Sequence, residues 1–359
     1  MGKTFKIAVF DGDGIGPEIT DPTLALLAKL TQSRGYGFDF ELLPAGAQCY
    51  AETGTALPET SLAKARASDA ILLSAMGLPH IRYPDGTEIT PQIDIRIALG
   101  LYAGVRPVRI VPGQPSPLKI AAHEALDFVL IRESTEGLFH SKGAGEVTRD
   151  DAKETLRISR ATSEKLFHFA FKLAERRKAA GVGPGRVMCV DKANVFRAFA
   201  FFRQIFDETA AQYPALTADH GYVDAVALWM VDQPQRFDVM VTENMFGDIL
   251  SDLGAGLMGG LGLAPSADIG DDHAVFQPCH GTAPDIAAKG LANPMAMILS
   301  AAMMLEWLGQ THAAPEAIED ARHLQKAVDQ VISERRVLTR DLGGVATTRE
   351  VVTAVETAL

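Results

Sequence analysis

Short apolar runs alternate along this chain with stretches of helical period. Residues 6–10 (KIAVF) read as a buried strand; the turn-rich DGDGIGPE follows, and Ile19, Leu24, Leu26 and Leu27 then recur at helical spacing. FDFELL at 38–43 and AILLSAM at 70–76 are two further strands, with a helix over SLAKARASD between them. A helical stretch over 90–102 leads into the strands VRPVRIV and DFVLIRE. Residues 153–179 keep a helical period until GVGPG stops it. RVMCVD, RFDVMVTEN and AVFQP are strands, with helices predicted over 198–213 and over an apolar segment ending near Trp307. Strands separated by helices imply right-handed crossovers and a mostly parallel sheet covered on both faces, which is the α/β class. The polar HSKGAGEVTRD reads as a projecting arm or loop. No repeat or linker divides the chain, so a second domain is expected to be inserted into the first.

Length and charge narrow the picture. At roughly 150 residues per domain, 359 residues imply about two domains and a core that needs no disulfide or metal staple. With 34 basic against 45 acidic residues the net charge is −11, a field that gains nothing from phosphate backbones or anionic membranes, so a small-molecule ligand is expected and no nucleic acid or membrane. Cys49, Cys189 and Cys279 are odd in number and lack CxxC spacing, which fits a reducing compartment. The first residues lack a secretory apolar core, and the apolar-leaning stretch over 290–305, broken by Asn293 and Pro294, falls short of the ~18 residues of a span, so the expected location is cytoplasmic.

Several residue patterns carry candidate chemistry. Gly12, Gly14 and Gly16 after a strand suggest a dinucleotide fingerprint, but the next glycine should stand at position 17, which is Pro17; a tight turn with proline in the first helical turn explains them more simply. Asp11 and Asp13 resemble a metal pair without completing a calcium loop. Asp248 and Asp252 stand four apart, which on a helix sets both carboxylates on one face about 6 Å apart. A divalent cation would relieve their repulsion, and Mg²⁺ or Mn²⁺ suits hard oxygen donors; a solvated helix face is the competing reading. Asp224 lies within the helical stripe of Val223, Val226, Ala227, Met230 and Val231, and is either a third ligand or exposed at the stripe's edge. Arg96, Arg106 and Arg132 stand near helix or strand ends, where planar forks could clamp a di- or tricarboxylate or form ordinary surface pairs. HGTAPD at 280–285 follows a strand and is predicted to enter a helix, which would offer amides to an anion or make Asp285 a first-turn acid. Lys192 ends a strand and is a candidate general base or an exposed strand-end lysine.

GDGIGPE, RPVRI after LGLYAGV, RESTEG, DKANV, FGDILSD, GGLGLAPSADIG and HGTAPDIAAKGLANP follow one another from about residue 6 to the DLGG at 341–344. That order resembles the β-decarboxylating dehydrogenases, the family of 3-isopropylmalate, isocitrate, homoisocitrate, D-malate and tartrate dehydrogenases. The resemblance implies a two-domain α/β fold of isopropylmalate dehydrogenase type with a non-Rossmann parallel or mixed sheet. Residues 1–102 with 255–359 would form the larger, cofactor-binding domain. Residues 103–254 would form the inserted substrate and dimerisation domain, with its arm near 139–151. It further implies a homodimer with shared active sites that uses NAD and Mg²⁺ or Mn²⁺ to oxidise and decarboxylate a 2-hydroxy acid. In that scheme Arg96, Arg106 and Arg132 clamp the substrate, and Asp248 and Asp252 hold the metal. Asp224 completes the metal site from the partner subunit, and Lys192, the base, reaches across with Asn194. His280, Gly281, Thr282, Ala283, Pro284, Asp285, Ile286 and Asn293 face the cofactor. Asp285 would accept from the ribose hydroxyls and Ile286 offers no phosphate partner, so NAD is expected over NADP.

The sequence departs from the family at three places. The motif RExTxGxY ends here in Phe139, which has no proton to deliver, so His140 or a lysine-bound water is expected to protonate the product. Gln277 replaces a glutamate on the nicotinamide side. Thr90 and Gln92 before Arg96 replace both the leucine pair of an isopropyl pocket and the serine and asparagine of isocitrate enzymes, so a malate- or tartrate-like substrate is expected, with 3-isopropylmalate, homoisocitrate or isocitrate as alternatives. A catalytically silent regulatory subunit is the rival reading.

Overall fold

The structure is a computed structural model that describes residues 3–119 and 124–359. β1 (Lys3–Phe10) turns into α1 (Gly16–Leu30), which begins with Pro17 in its first turn, where the absent N–H is not missed. There follow β2 (Tyr36–Leu42), α2 (Ala47–Thr53), α3 (Glu59–Arg66), β3 (Ala70–Leu73), α4 (Pro91–Ala98), β4 (Ala103–Ile110) and β5 (Leu126–Glu133). The arm is a two-stranded hairpin, β6 (Glu146–Val147) and β7 (Ala152–Lys153). Next come α5 (Arg160–Ala179), β8 (Arg186–Asp191), α6 (Arg197–Ala210), β9 (Thr217–Tyr222), α7 (Val223–Asp232), β10 (Val239–Thr242) and α8 (Asn244–Leu257). β11 (Pro265–Ile269), β12 (Ala274–Pro278), α9 (Met295–Thr311), α10 (Pro315–Glu334) and α11 (Thr348–Ala358) complete the chain.

Among the described residues, ten strands form one sheet in the order β2-β1-β3-β12-β11-β4-β5-β10-β8-β9. Parallel blocks β2-β1-β3-β12 and β5-β10-β8-β9 flank the antiparallel strands β11 and β4. Both chain ends feed the first block and the middle of the chain feeds the second. β3 (AILL) and β10 (VMVT) are wholly buried, as strands covered by helices on both faces should be. The two-residue period of β4 and β5 divides their side chains cleanly. Val105, Val129 and Ile131 join the main core, whereas Val108, Ile110, Phe128 and Leu130 join a second core beneath α7 and α8.

Local chemistry overrides periodicity in several places. α5 begins at Arg160, not 153, because Ser159 caps it by accepting from the Thr162 N–H at 3.3 Å, and residues 152–153 are spent on the arm hairpin. α4 ends at Ala98, two residues before the left-handed Gly100. Asp13 is not half of a metal pair: its buried carboxylate accepts from the Ala47, Gln48 and Gly77 N–H groups at 2.7, 2.9 and 2.8 Å. The three cysteines are free. Among the described residues, no helix is long and apolar enough to cross a membrane.

Candidate active site

Arg106 of β4, Arg132 of β5 and Arg96 of α4 are all buried and gather near Asp268 of β11. Arg106 Nη2 donates to Asp268 Oδ1 at 3.1 Å, and Arg96 Nε lies 3.0 Å from Asp268 Oδ2. Ser134 donates its hydroxyl to the same carboxylate at 3.0 Å. Gly104 makes this gathering sterically feasible, since a Cβ there would stand 2.5 Å from Ser134 Oγ and 3.0 Å from Asp268 Oδ1. Burial pushes the Asp268 carboxyl up, but Arg106, Arg96 and Arg132 outweigh it and hold the group below its usual range. Arg132 shows the other side of this balance. Desolvation and the neighbouring Arg96 and Arg106 lower its guanidinium to about 10, although Asp248 opposes them. Arg96 and Arg106 share the buried Asp268 while Arg132 pairs with Asp248, so the three guanidinium groups outnumber these two carboxylates by one positive charge, suited to a further carboxylate.

α8 brings the acidic partners. Glu243 caps it by accepting from the Met245 and Phe246 N–H groups at 3.1 and 2.7 Å. Gly247 lets the helix lie on β5, because a Cβ there would come within 2.6 Å of the Arg132 side chain. Asp248 ion-pairs with Arg132, whose Nε and Nη2 also donate to Asn244 Oδ1 at 3.2 and 2.7 Å. Burial and then Asp248 raise the Asp252 carboxyl. The two aspartates do share one helix face, and Arg132 and Arg106 only partly offset their repulsion.

Lys192 and Asp224 form a separate group. Lys192 Nζ donates to Asp224 Oδ1 at 2.6 Å, and this bond holds the Asp224 carboxyl below its usual range. Asp191 sets the turn by accepting from the Ala193 N–H at 2.8 Å while Arg203 grips it twice, each bond 2.8 Å long. Asn194 is exposed beside it. Asp224, Leu228 and Val231 occupy the exposed face of α7, so Val231 does not belong to the packed stripe, whose buried members are Val226 and Met230. Among the described residues of one chain, no three His, Cys, Asp or Glu side chains converge closely enough to hold a metal.

The segment after β12 enters a series of turns rather than the helix read from the sequence; α9 starts only at Met295. No helix N-terminus therefore faces Asp285, which is exposed, so it is not a first-turn acid. The segment is fixed instead on the glycine turn after β1: the Ile15 N–H donates to the Thr282 carbonyl at 2.9 Å, and Thr282 donates to the Gly77 carbonyl at 2.7 Å. Ala283 and Ala288 adopt positive φ here, at 36° and 58°. Pro284 and Gly281 are exposed and Ile286 is half-buried. His280 has its Nδ1 3.0 Å from the Gly281 carbonyl, an arrangement that needs the proton on Nδ1. Its Nε2 is then a buried acceptor without a partner, and burial lowers the ring's pKa. Asn293 is committed internally: its amide donates to Asp341 Oδ2 and its carbonyl oxygen accepts the Met295 N–H, each at 3.0 Å.

Phe139 lies beside the cluster, its ring centroid 5.9 Å from the Arg132 guanidinium carbon, and the adjacent His140 is exposed on a short 3₁₀ turn. Gln92 stands one turn before Arg96 on α4, with its Oε1 buried and unpartnered, and Gln277 Oε1 on β12 is likewise unpartnered. Thr90 precedes the helix at its N-cap. Asp268, Asn244 and Asp341 are the polar residues that sequence reasoning passed over. Asp268 stood inside the quoted SADIG motif, but nothing in the sequence told that a buried strand would carry it to three arginines from three other elements.

The comparisons with known proteins cover nearly the whole chain. The family model described as isocitrate/isopropylmalate dehydrogenase matches residues 6–355. A 3-isopropylmalate/3-methylmalate dehydrogenase of Methanocaldococcus jannaschii is 41% identical over 94% of each chain. A 3-isopropylmalate dehydrogenase of Lactococcus lactis is 40% identical over 98% of each. The crystal structure of isocitrate dehydrogenase from Methylococcus capsulatus superposes with a TM-score of 0.84 at 36% identity, covering 99% of both chains. None of these names carries the malate or tartrate preference read from Thr90 and Gln92, which accordingly lacks support.

Proposed function

The chain belongs to the isocitrate/isopropylmalate dehydrogenase family, and on that premise we propose that it oxidises and decarboxylates a 3-alkylmalate, with 3-isopropylmalate the first substrate to test. It is an NAD-dependent oxidative decarboxylase of that family. The surplus charge of Arg96, Arg106 and Arg132 around Asp268, beside the α8 aspartates, carries the reading. Relatives that bear the name 3-isopropylmalate dehydrogenase support the substrate.

In this reading residues 103–254 are the inserted domain of a homodimer. Exposed Leu228 and Val231 on α7 and Met245 and Ile249 on α8 make an apolar surface on two neighbouring helices, suited to a second copy. Lys192, Asn194 and Asp224 of each copy then serve the arginine cluster of the other. Asp248, Asp252 and that Asp224 would hold a divalent cation: they are hard oxygen donors, and the raised Asp252 carboxyl beside Asp248 is a pair that a dication relieves. A cation held there would supply Lewis acidity, and bound NAD would supply the hydride acceptor.

The chain's own residues do the rest. The three guanidinium groups hold the substrate carboxylates and fix the C2–H bond in place. Lys192 Nζ takes the proton of the C2 hydroxyl. The positive field of the arginines stabilises the enolate left when the C3 carboxylate departs as carbon dioxide. His140 returns a proton to that carbon, since Phe139 cannot. The unpartnered Nε2 of His280 is an acceptor for an adenine amino group, and Asp285, with no cationic neighbour at Ile286, favours NAD over NADP. The commitment of Asn293 leaves its backbone to serve the adenine.

The test is NADH formation and carbon dioxide release with Mn²⁺ over 3-isopropylmalate, D-malate, tartrate and isocitrate. The expected result is the highest kcat/KM for 3-isopropylmalate. If another acid is preferred, the substrate is wrong; if none reduces NAD, a silent subunit is the better account.

A further inference from the structure

Arg106, Arg132 and Asp268 occupy one face of the β4-β5-β11 segment, and the alternate residues of the same strands open on a second cavity behind it. Val105, Pro107, Val129 and Ala267 form the apolar floor of a cleft of about 940 Å³, within the size range of small-molecule sites. It exists because α5 packs on β5, β8 and β10 while α9 packs on β11, β12 and β3, with β4 between them. Leu173 of α5 forms one wall, and Trp307 of α9 the other.

The mouth is charged and unevenly matched. Arg109 is neutralised by Asp127 and Asp329 at 3.2 and 3.0 Å, and Arg177 by Asp127 and Asp238 at 2.9 and 2.7 Å. Lys172 and Arg322 line the cleft, are exposed, and form no ion pair or hydrogen bond with any described residue. Arg176 is met by the neutral Gln310 amide. Glu175 and Glu306 oppose these three, and Glu306 already accepts from Gln310 at 2.9 Å; the five cations and five carboxylates of the mouth balance, but Lys172 and Arg322 are left without a direct partner.

We propose that this cleft binds an amphipathic organic monoanion of the medium-chain carboxylate class. Its hydrocarbon body lies on Val105, Pro107 and Trp307, and its head is held by Lys172 and Arg322. The site is distinct from the arginine cluster, and its failure would leave the dehydrogenase reading intact.

Decanoate is the probe, titrated calorimetrically into the full chain, with decanol as its uncharged counterpart. The expected result is one site per chain that saturates below about 1 mM. Decanol, and decanoate with the double variant Lys172→Glu/Arg322→Glu, should each bind about tenfold more weakly. Neither NAD nor 3-isopropylmalate should displace decanoate. Both substituted positions are exposed, and circular dichroism checks that the variant is folded. Equal binding by the double variant or by decanol, one-for-one displacement by NAD, or no saturation in that range would each overturn the proposal.

Discussion

The arginine cluster and the Lys192–Asp224 pair are charged constellations of the same chain built on opposite plans. Asp268 is wholly buried and held by two guanidinium groups and a hydroxyl supplied from α4, β4 and the turn after β5. Asp224 has a side chain 69% exposed and is met by one lysine across a solvated edge. The buried cluster is fixed before any ligand arrives, because moving one member leaves another charge unpaired in a low dielectric. The exposed pair costs little to open, as a group lent to another copy's site requires. The contrast is what the proposed dimer requires, a rigid half of the site on one chain and a reactive half delivered by a second.

The most severe test exploits that division. Lys192→Met and Asp248→Asn should each lower kcat by about a thousandfold or more, through loss of the base and of a metal ligand. Mixed after reversible dissociation, the two inactive proteins should recover about a quarter of parental activity: half the dimers are hybrids, and each hybrid holds one intact site of two. No recovery would confine the site to one chain. Next in size, Leu228→Asp with Ile249→Asp places charge on the exposed apolar faces of α7 and α8. The expected product is a folded monomer by sedimentation with almost no turnover; a dimeric, active variant would move the interface elsewhere.

Stability separates the halves directly. Asp268→Asn strips the buried guanidinium groups of their anion and should cost about 3–5 kcal/mol in denaturant unfolding. Asp224→Asn removes an exposed, solvent-screened pair and should leave the unfolding midpoint close to the parent's. Comparable losses would erase the distinction.

The same division governs what the sequence made legible. Arg96, Arg106 and Arg132 were recognisable because their types and motifs are local, and the i, i+4 spacing of Asp248 and Asp252 already placed both on one helix face. Asp268 was not, since its meaning arises only when β11 pairs with β4 and brings it beside Gly104. The segment at 280–285 is expected from its place after a strand to enter a helix, whereas anchoring of Thr282 to the Ile15 and Gly77 backbone bends it into turns. Likewise Ser159 overrode the helical period that began at 153. Periodicity reports which face is apolar; caps and long-range hydrogen bonds decide where an element starts.

A smaller effect belongs to the final proton. Phe139 stacks near Arg132 and His140 follows it. His140→Ala should slow product protonation about a hundredfold, and Phe139→Tyr in that background should restore part of the rate. The readout is solvent deuterium incorporation at C3 of the product alongside NADH formation. An unchanged rate for His140→Ala would assign the step to water.

The smallest effect concerns Asp252, where the metal reading and a structural reading give opposite signs. Its carboxyl is raised above the ordinary 3.8 by burial and by Asp248, so the folded chain binds its proton more tightly than the unfolded chain does. Stability from this group therefore falls as pH rises from about 3.8 through the raised value, and the full cost is present at neutral pH. In EDTA at pH 7, Asp252→Asn should unfold at slightly higher urea than the parent, by a few tenths of a kcal/mol given the site's partial exposure, and the gain should vanish below pH 3.8. Mn²⁺ should then stabilise the parent and leave the variant unmoved. A variant weaker than the parent in EDTA would mean that Asp252 anchors Arg132 and Arg106 instead of waiting for a cation, because only then does its charge stabilise the empty fold.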